Sequence, residues 1–181
     1  MIRPENAMGS RSIILRAPHE SDAQDLYEMC LDPLHQNSGL HTFPSLSECR
    51  EAIRQWAVSD GFKVIADATT HALIGSISLG GMDRYEGYME LEFAIAAEHR
   101  GKGFCTEAVR RMLDYGFTDM NAQVIAAWVR SHNLACVRVL EKCGFTSEGR
   151  LRRHARDGSD TLCYSILREE WEEMQKSVII P

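Results

Sequence analysis

The stretch EHRGKGFCTEAVRRML, residues 98–113, decides how this chain is read. It places Arg100, Gly101, Lys102 and Gly103 just before a segment that, from Thr106 onward, sets apolar residues at 108, 109, 112, 113 and 117. That spacing follows the period of a helix with one buried face. Two glycines in four residues cost backbone entropy, so they are expected where the chain takes positive φ or must approach something closely. A helix starting just after them leaves unpaired N–H groups and a partial positive charge at its first turn. Strand, glycine-rich turn and helix form a phosphate-binding arrangement. Neither G-x-x-x-x-G-K-[ST] nor G-x-G-x-x-G is matched, because Gly101-Lys102-Gly103 runs on to Thr106 without a third glycine.

Working outward, residues 87–96 (GYMELEFAIA) read as the strand entering this turn, and 123–129 (QVIAAWV) as a short, buried parallel strand leaving the helix. Further upstream, 11–18 read as a first strand. A capping-box pattern at Ser21–Gln24 opens a first helix. Residues 32–44 look like a loop. Ser45-Leu46-Ser47-Glu48 caps a second helix, and 62–67 with 71–82 suggest a hairpin. Downstream, 133–145 read as a helix closed by Gly144 as its C′ residue, with Phe145 ready for the accompanying contact. Two strands around Asp157-Gly158 and a charged C-terminal helix complete one α/β domain.

Composition narrows the classes. A net charge of −6 argues against a general nucleic-acid binder. Yet Ile95 to Arg150 holds eight Lys/Arg against six Asp/Glu, a local +2 that leaves −8 elsewhere. This pattern fits either one anionic ligand at one place or solvated charge. No apolar run reaches the roughly 20 residues of a membrane span, so no membrane partner is expected. Residues 1–12 lack the apolar core of a secretory signal. The six cysteines, at 30, 49, 105, 136, 143 and 163, form no C-x-x-C pair and fit free thiols in a reducing cytoplasm. The histidines show no metal-ligand spacing, no metal is expected, and no nucleophile-elbow motif is present.

Arg100-Gly101-Lys102-Gly103-Phe104-Cys105 resembles the R/Q-x-x-G-x-G/A loop of the GCN5-related N-acetyltransferases (GNAT). The order of elements matches, as does the later block Asn133, Cys136, Glu141-Lys142-Cys143-Gly144-Phe145. GKGFCTEA, EKCGF, EGRLR and ILREEW look like the branch containing the ribosomal-protein N-terminal acetyltransferases. The resemblance implies a single N-acetyltransferase domain over 11–176, with a flexible N-terminal segment 1–10 and a tail 177–181. The implied fold is α/β (α+β): a mixed, mostly antiparallel sheet of about six to seven strands flanked by helices. The implied reaction is acetyl transfer from acetyl-CoA to an amine, in a cytoplasmic monomer or homodimer. A CoA-binding module without catalysis is the alternative.

The resemblance assigns residues. Backbone amides from Arg100, Gly101, Lys102, Gly103, Phe104, Cys105 and Thr106 would bind the pyrophosphate. Phe93, Ala94 and Ile95 would pair with the pantetheine arm, and an N–H there would polarise the thioester carbonyl. Asn133 matches a pantetheine-contacting asparagine, and it also suits a helix N-cap. Glu90 and Glu92 lie two apart on one strand and so share a face. Two carboxylates together raise one pKa, which suits a base; solvent exposure or a pairing with Arg84 is the structural alternative. A tyrosine that serves many relatives as general acid is replaced here by Val139 or Leu140. Cys136 could donate the proton or serve as a small buried hydrophobe. The loop 32–44, with His35, His41 and Phe43, falls where the family shapes its acceptor site.

Overall fold

Strand propensity and helical period translate into seven strands and six helices in the computed structural model, which describes residues 12–81 and 86–179. In chain order they are β1 (Ile13–Arg16), α1 (Ala23–Leu31), α2 (Pro33–Gln36), α3 (Leu46–Trp56), β2 (Phe62–Asp67), β3 (Leu73–Gly81) and β4 (Tyr88–Ile95). Then come α4 (Phe104–Thr118), β5 (Val124–Arg130), α5 (Leu134–Lys142), β6 (Thr146–Leu151), β7 (Thr161–Leu167) and α6 (Arg168–Ile179). One sheet runs in the order β1-β2-β3-β4-β5-β7-β6. Only β4 and β5 pair in parallel; every other neighbour is antiparallel.

Two cores sandwich this sheet. Val64 and Ala66 of β2 join α1 and α3 through Leu26, Cys49 and Ile53. Ile65, between them in sequence, faces the opposite core with Ile77 and Leu79 of β3. There α4 lays down Ala108, Val109, Met112, Leu113 and Phe117, the stripe its periodicity predicts. Gly116 brings the helix close: a Cβ there would stand 2.7 Å from Leu79 Cδ1 and 2.8 Å from Ile125 Cδ1. Met112, Leu113 and Phe117 are fully buried, and truncating any one to alanine costs about 2–5 kcal/mol. α5 ends as expected. Gly144, at φ 86°, donates to Glu141 O, and Phe145 N–H donates to Leu140 O, the paired bonds of a Schellman closure.

Local readings differ at four places. The expected Ser21 capping box is displaced: His19 caps a short 3₁₀ turn at Glu20–Asp22, and Asp22 reaches back to His19 N at 2.7 Å. Arg16 holds Asp22 by two bonds of 2.7 Å, which fixes that carboxylate upstream of α1. The expected loop 32–44 contains α2, where Asp32 accepts from Leu34 N and His35 N and Pro33 occupies the first turn. α4 begins at Phe104, two residues early, and α6 runs to Ile179, into the segment expected as a tail. The segment 1–10, residues 180–181 and Arg84 lie outside the described residues.

Candidate active site

The site begins where the sheet parts. Strands β4 and β5 pair at Tyr88–Val124, Met89–Ile125 and Glu90–Ala126, and the register stops there. Ala96 N–H donates to Ile74 O at 2.9 Å. Antiparallel alternation then turns the main-chain groups of Ala94, Glu92 and Glu90 toward β3, and those of Phe93 and Ile95 toward β5. Beyond Glu90 no strand of β5 meets them. The gap is a cleft of about 470 Å³, walled by β4, β5, the glycine turn, α5 and the α2 segment. Of the three strand residues expected at the pantetheine arm, Phe93 and Ile95 therefore face the gap with their backbone. Ala94 lines it with its backbone committed to β3.

The glycine turn closes one end. Gly101 and Gly103 take φ of 73° and 85°, and a Cβ on either would meet nothing of the protein within 4 Å. The left-handed backbone demands glycine, and the room beside it belongs to the cleft. Gly103 is the N-cap of α4 and supplies no side-chain cap. Glu107 N–H makes the first return bond, to Gly103 O at 3.2 Å. The amides of Phe104, Cys105 and Thr106 precede it and sit at the positive end of a fifteen-residue helix. Lys102 Nζ donates to Glu98 O at 2.6 Å. Arg100 donates from Nε to Ile95 O at 3.1 Å and from Nη2 to Asp32 Oδ1 at 2.9 Å. Arg130, Arg138 and Lys142 add three more cations to the lining, against two carboxylates, Glu90 and Glu92. Five of the eight cations of the basic zone thus line one cleft, while Arg110, Arg111 and Arg150 lie elsewhere.

Glu90 and Glu92 share the face their spacing predicts. They pair in register with Gly80 and Ser78 of β3. Burial holds the Glu90 carboxyl above the usual range. Glu92 is raised too, by desolvation first and by the Glu90 charge second, while His41 opposes. Asn133 is the N-cap of α5, its Oδ1 accepting from Cys136 N at 3.1 Å, and it lines the cleft as well. Cys136 lines the same cleft, and burial pushes its thiol up to about 12. Cys105 is raised further by burial, with Cys136 and Cys143 adding to the shift.

A second cavity of about 350 Å³ adjoins the first on the α1–α3 side of the sheet. His35, Leu40, Glu92 and Phe93 form the wall common to both. Its floor is the small-residue face of β3, Ser76, Ser78 and Gly80, and its sides are His41, Phe43, Trp56 and Phe62. His35 is buried, with Nε2 set 2.9 Å from His41 O, an acceptor to which it donates, and Nδ1 is without a hydrogen-bond partner among the described residues.

The residues expected to act in catalysis or to bind the co-substrate therefore all line the first cleft, whereas His41 and Phe43 line the second cavity. The loop 32–44 does supply His35, Leu40, His41 and Phe43 to the second cavity, but sequence reasoning did not find the contributions of Trp56, Phe62 and β3. Trp56 reads as packing, and its part in a pocket wall depends on the fold. One signal was available: Ser-x-Ser-x-Gly at 76–80 alternates with Ile77 and Leu79, so one face of β3 is core and the other is empty. Asp32 and Pro33, at the start of α2, are the other overlooked signal. Among the described residues no group of three or more His, Cys, Asp or Glu is placed to hold a metal ion, and no helix is long and apolar enough to cross a membrane.

Comparison with known proteins follows the same lines. Residues 12–146 match the acetyltransferase (GNAT) domain family. The uncharacterized N-acetyltransferase p20 of Bacillus licheniformis is 28% identical over 88% of this chain and 94% of its own length. A spermidine N(1)-acetyltransferase of Vibrio cholerae is 39% identical over 49% of this chain and 50% of its own. The crystal structure of spermidine N-acetyltransferase from Vibrio cholerae in complex with CoA and spermine superposes with a TM-score of 0.78, at 26% identity, covering 88% of this chain and 98% of that one. These likenesses displace the alternative of a CoA-binding module without catalysis. The chain belongs to the GNAT acetyltransferase family and is an N-acetyltransferase with acetyl-CoA as its co-substrate.

Proposed function

We propose that the chain moves acetyl from acetyl-CoA to a primary amine by direct attack in a ternary complex. The observation that carries this reading is the wall shared by the two cavities. Glu92 and Phe93 stand where a thioester in the first cavity would meet an amine in the second. The pyrophosphate lies on the amides from Gly101 to Thr106, and the pantetheine arm runs beside Phe93, Ala94 and Ile95 toward Asn133. A strand N–H in the gap, at Phe93 or Ile95, polarises the thioester carbonyl. Glu92 takes a proton from the incoming ammonium, directly or through water, and Glu90 tunes that carboxylate by its charge. The amine nitrogen then bonds to the carbonyl carbon, the C–S bond breaks, and the second amine proton passes to the departing thiolate. Cys136, with so high a pKa, keeps its proton and offers only a weak S–H hydrogen bond to that sulfur.

The acceptor is a primary amine, a class that runs from the protein N-terminal α-amine of the ribosomal-protein branch to small amines such as the spermine bound in the Vibrio structure. The six free thiols accord with a reducing cytoplasm. Calorimetry with acetyl-CoA tests the reading, beside Gly103→Trp, whose side chain obstructs the turn. Binding by the wild type, lost in the variant, supports it. Acetyl transfer that dies in Glu90→Gln/Glu92→Gln while CoA binding persists supports the carboxylate roles. A folded wild type that binds no acetyl-CoA overturns the placement.

A further inference from the structure

The second cavity has a chemical character of its own. Its sides are aromatic and held in place before any ligand arrives. Trp56 stacks on Phe62 with ring centroids 4.2 Å apart and planes at 17°. Phe43 meets Trp56 edge-on at 5.7 Å, and His41 meets Phe43 edge-on at 4.8 Å. Rings locked by one another lose little entropy when a ligand packs on them. Beneath them the floor is open, because β3 offers only hydroxyls and a glycine: a Cβ at Gly80 would touch nothing within 4 Å. The charged lining is sparse. No lysine or arginine faces this cavity among the described residues, and its one carboxylate is Glu92, at the end that opens to the other cleft.

From this arrangement we infer that the acceptor is a small arylalkyl monoamine, with its ammonium at Glu92 and its ring among Phe43, Trp56 and Phe62 over Ser78. The inference rests on the proposed acetyl transfer and deepens it. A single cation is matched by the single carboxylate, and the rings add aromatic stacking and apolar contact to the rest of the molecule. A polyamine would bring further ammonium groups into the aromatic end, where no second carboxylate answers them, and desolvating an unpaired charge is costly. A peptide N-terminus would bring main-chain polar groups against ring faces that cannot pair with them.

The test uses the whole chain saturated with CoA, so that binding is read without turnover. 2-Phenylethylamine, tryptamine, spermidine and a tripeptide with a free N-terminus are titrated by calorimetry. The arylalkylamines are expected to bind about tenfold or more tightly than spermidine. Trp56→Leu is expected to weaken them by about tenfold and to leave spermidine and CoA unchanged. Ser78→Leu, which fills the floor, should abolish arylalkylamine binding while CoA still binds. Spermidine or the tripeptide binding as tightly as the arylalkylamines overturns the inference, as does arylalkylamine affinity indifferent to both substitutions. Those failures leave CoA binding intact. A wild type that binds no CoA is the separate failure of the acetyltransferase placement itself.

Discussion

Arg100 and Asp32 join the two ends of the site: the guanidinium Nη2 lies 2.9 Å from Asp32 Oδ1. One belongs to the turn before α4, the other caps α2, so the glycine turn and the segment that walls the second cavity share one ion pair. Asp32 does two jobs, because the same carboxylate also accepts from Leu34 N at 2.9 Å and His35 N at 3.3 Å.

Separating those jobs gives a first prediction. Asp32→Asn keeps a capping oxygen and loses the charge; Asp32→Ala loses both. The alanine variant should be about 1–2 kcal/mol less stable than wild type at neutral pH, and the asparagine variant should fall between them. The Asp32 carboxyl is held below its usual range, chiefly by the Arg100 hydrogen bond. A depressed folded pKa contributes stability that is complete above the unfolded value and fades as pH falls through the folded one. Denaturant melts should therefore show a constant gap between wild type and Asp32→Asn at neutral pH, shrinking below about pH 4. A gap that grew in acid would contradict the pairing.

The carboxylates on β4 give a second, opposite in sign. Glu92 is raised by desolvation and by the Glu90 charge. It therefore holds its proton to higher pH, and in its proposed role as base it should gain activity only as pH rises through that shifted value. The acid limb of kcat/KM should lie above the ordinary glutamate range of about 4.3. Glu90→Gln removes the neighbouring charge and should move the limb to lower pH. Glu92→Gln should remove the limb and lower kcat by about a hundredfold. Profiles in which Glu90→Gln leaves the limb unmoved would remove Glu90 from its tuning role.

Glycines with similar backbone angles should tolerate alanine very differently, which is a third prediction. Gly144 has φ 86° and a Cβ there would lie 2.5 Å from Met174 Sδ, whereas Gly101 has φ 73° and open space around it. Both substitutions meet the left-handed penalty of about 1–2 kcal/mol. Gly144→Ala also pushes Met174 of α6 aside and breaks the closure of α5. It should show the larger drop in melting temperature with little change in acetyl-CoA affinity. Gly101→Ala should show the smaller drop together with weakened acetyl-CoA binding.

What the chain revealed before folding follows from range. The glycine turn, α4 and the closure of α5 are written in adjacent residues, by positive-φ glycines and a 3.6-residue period, so they read correctly. α2 was hidden because four residues are too few for a period, although Asp32-Pro33 spelled its start. The Ser21 cap failed because Arg16, outside the local window, claims Asp22. Ending the β4–β5 pairing at Glu90 depends on two distant strands, which no local period encodes. The aromatic cavity was least legible: Phe43, Trp56 and Phe62 come from three separate segments, and only the fold turns them to one empty patch of β3.

The parting of β4 from β5 has a mechanical meaning. Among the described residues, the register between a four-stranded and a three-stranded half runs through Tyr88, Met89 and Glu90 alone, with Gly87 O accepting from Gln123 N and Val124 N just before it. Past that seam the two halves are arms of a fork, and whatever lies between the tines acts as a splint. Acetyl-CoA bridging Phe93 to α5 would stiffen the fork during the reaction, and departure of CoA would let it relax. Glu90 sits at the crotch, so the carboxylate we propose to tune Glu92 is also the last residue of the β4–β5 register.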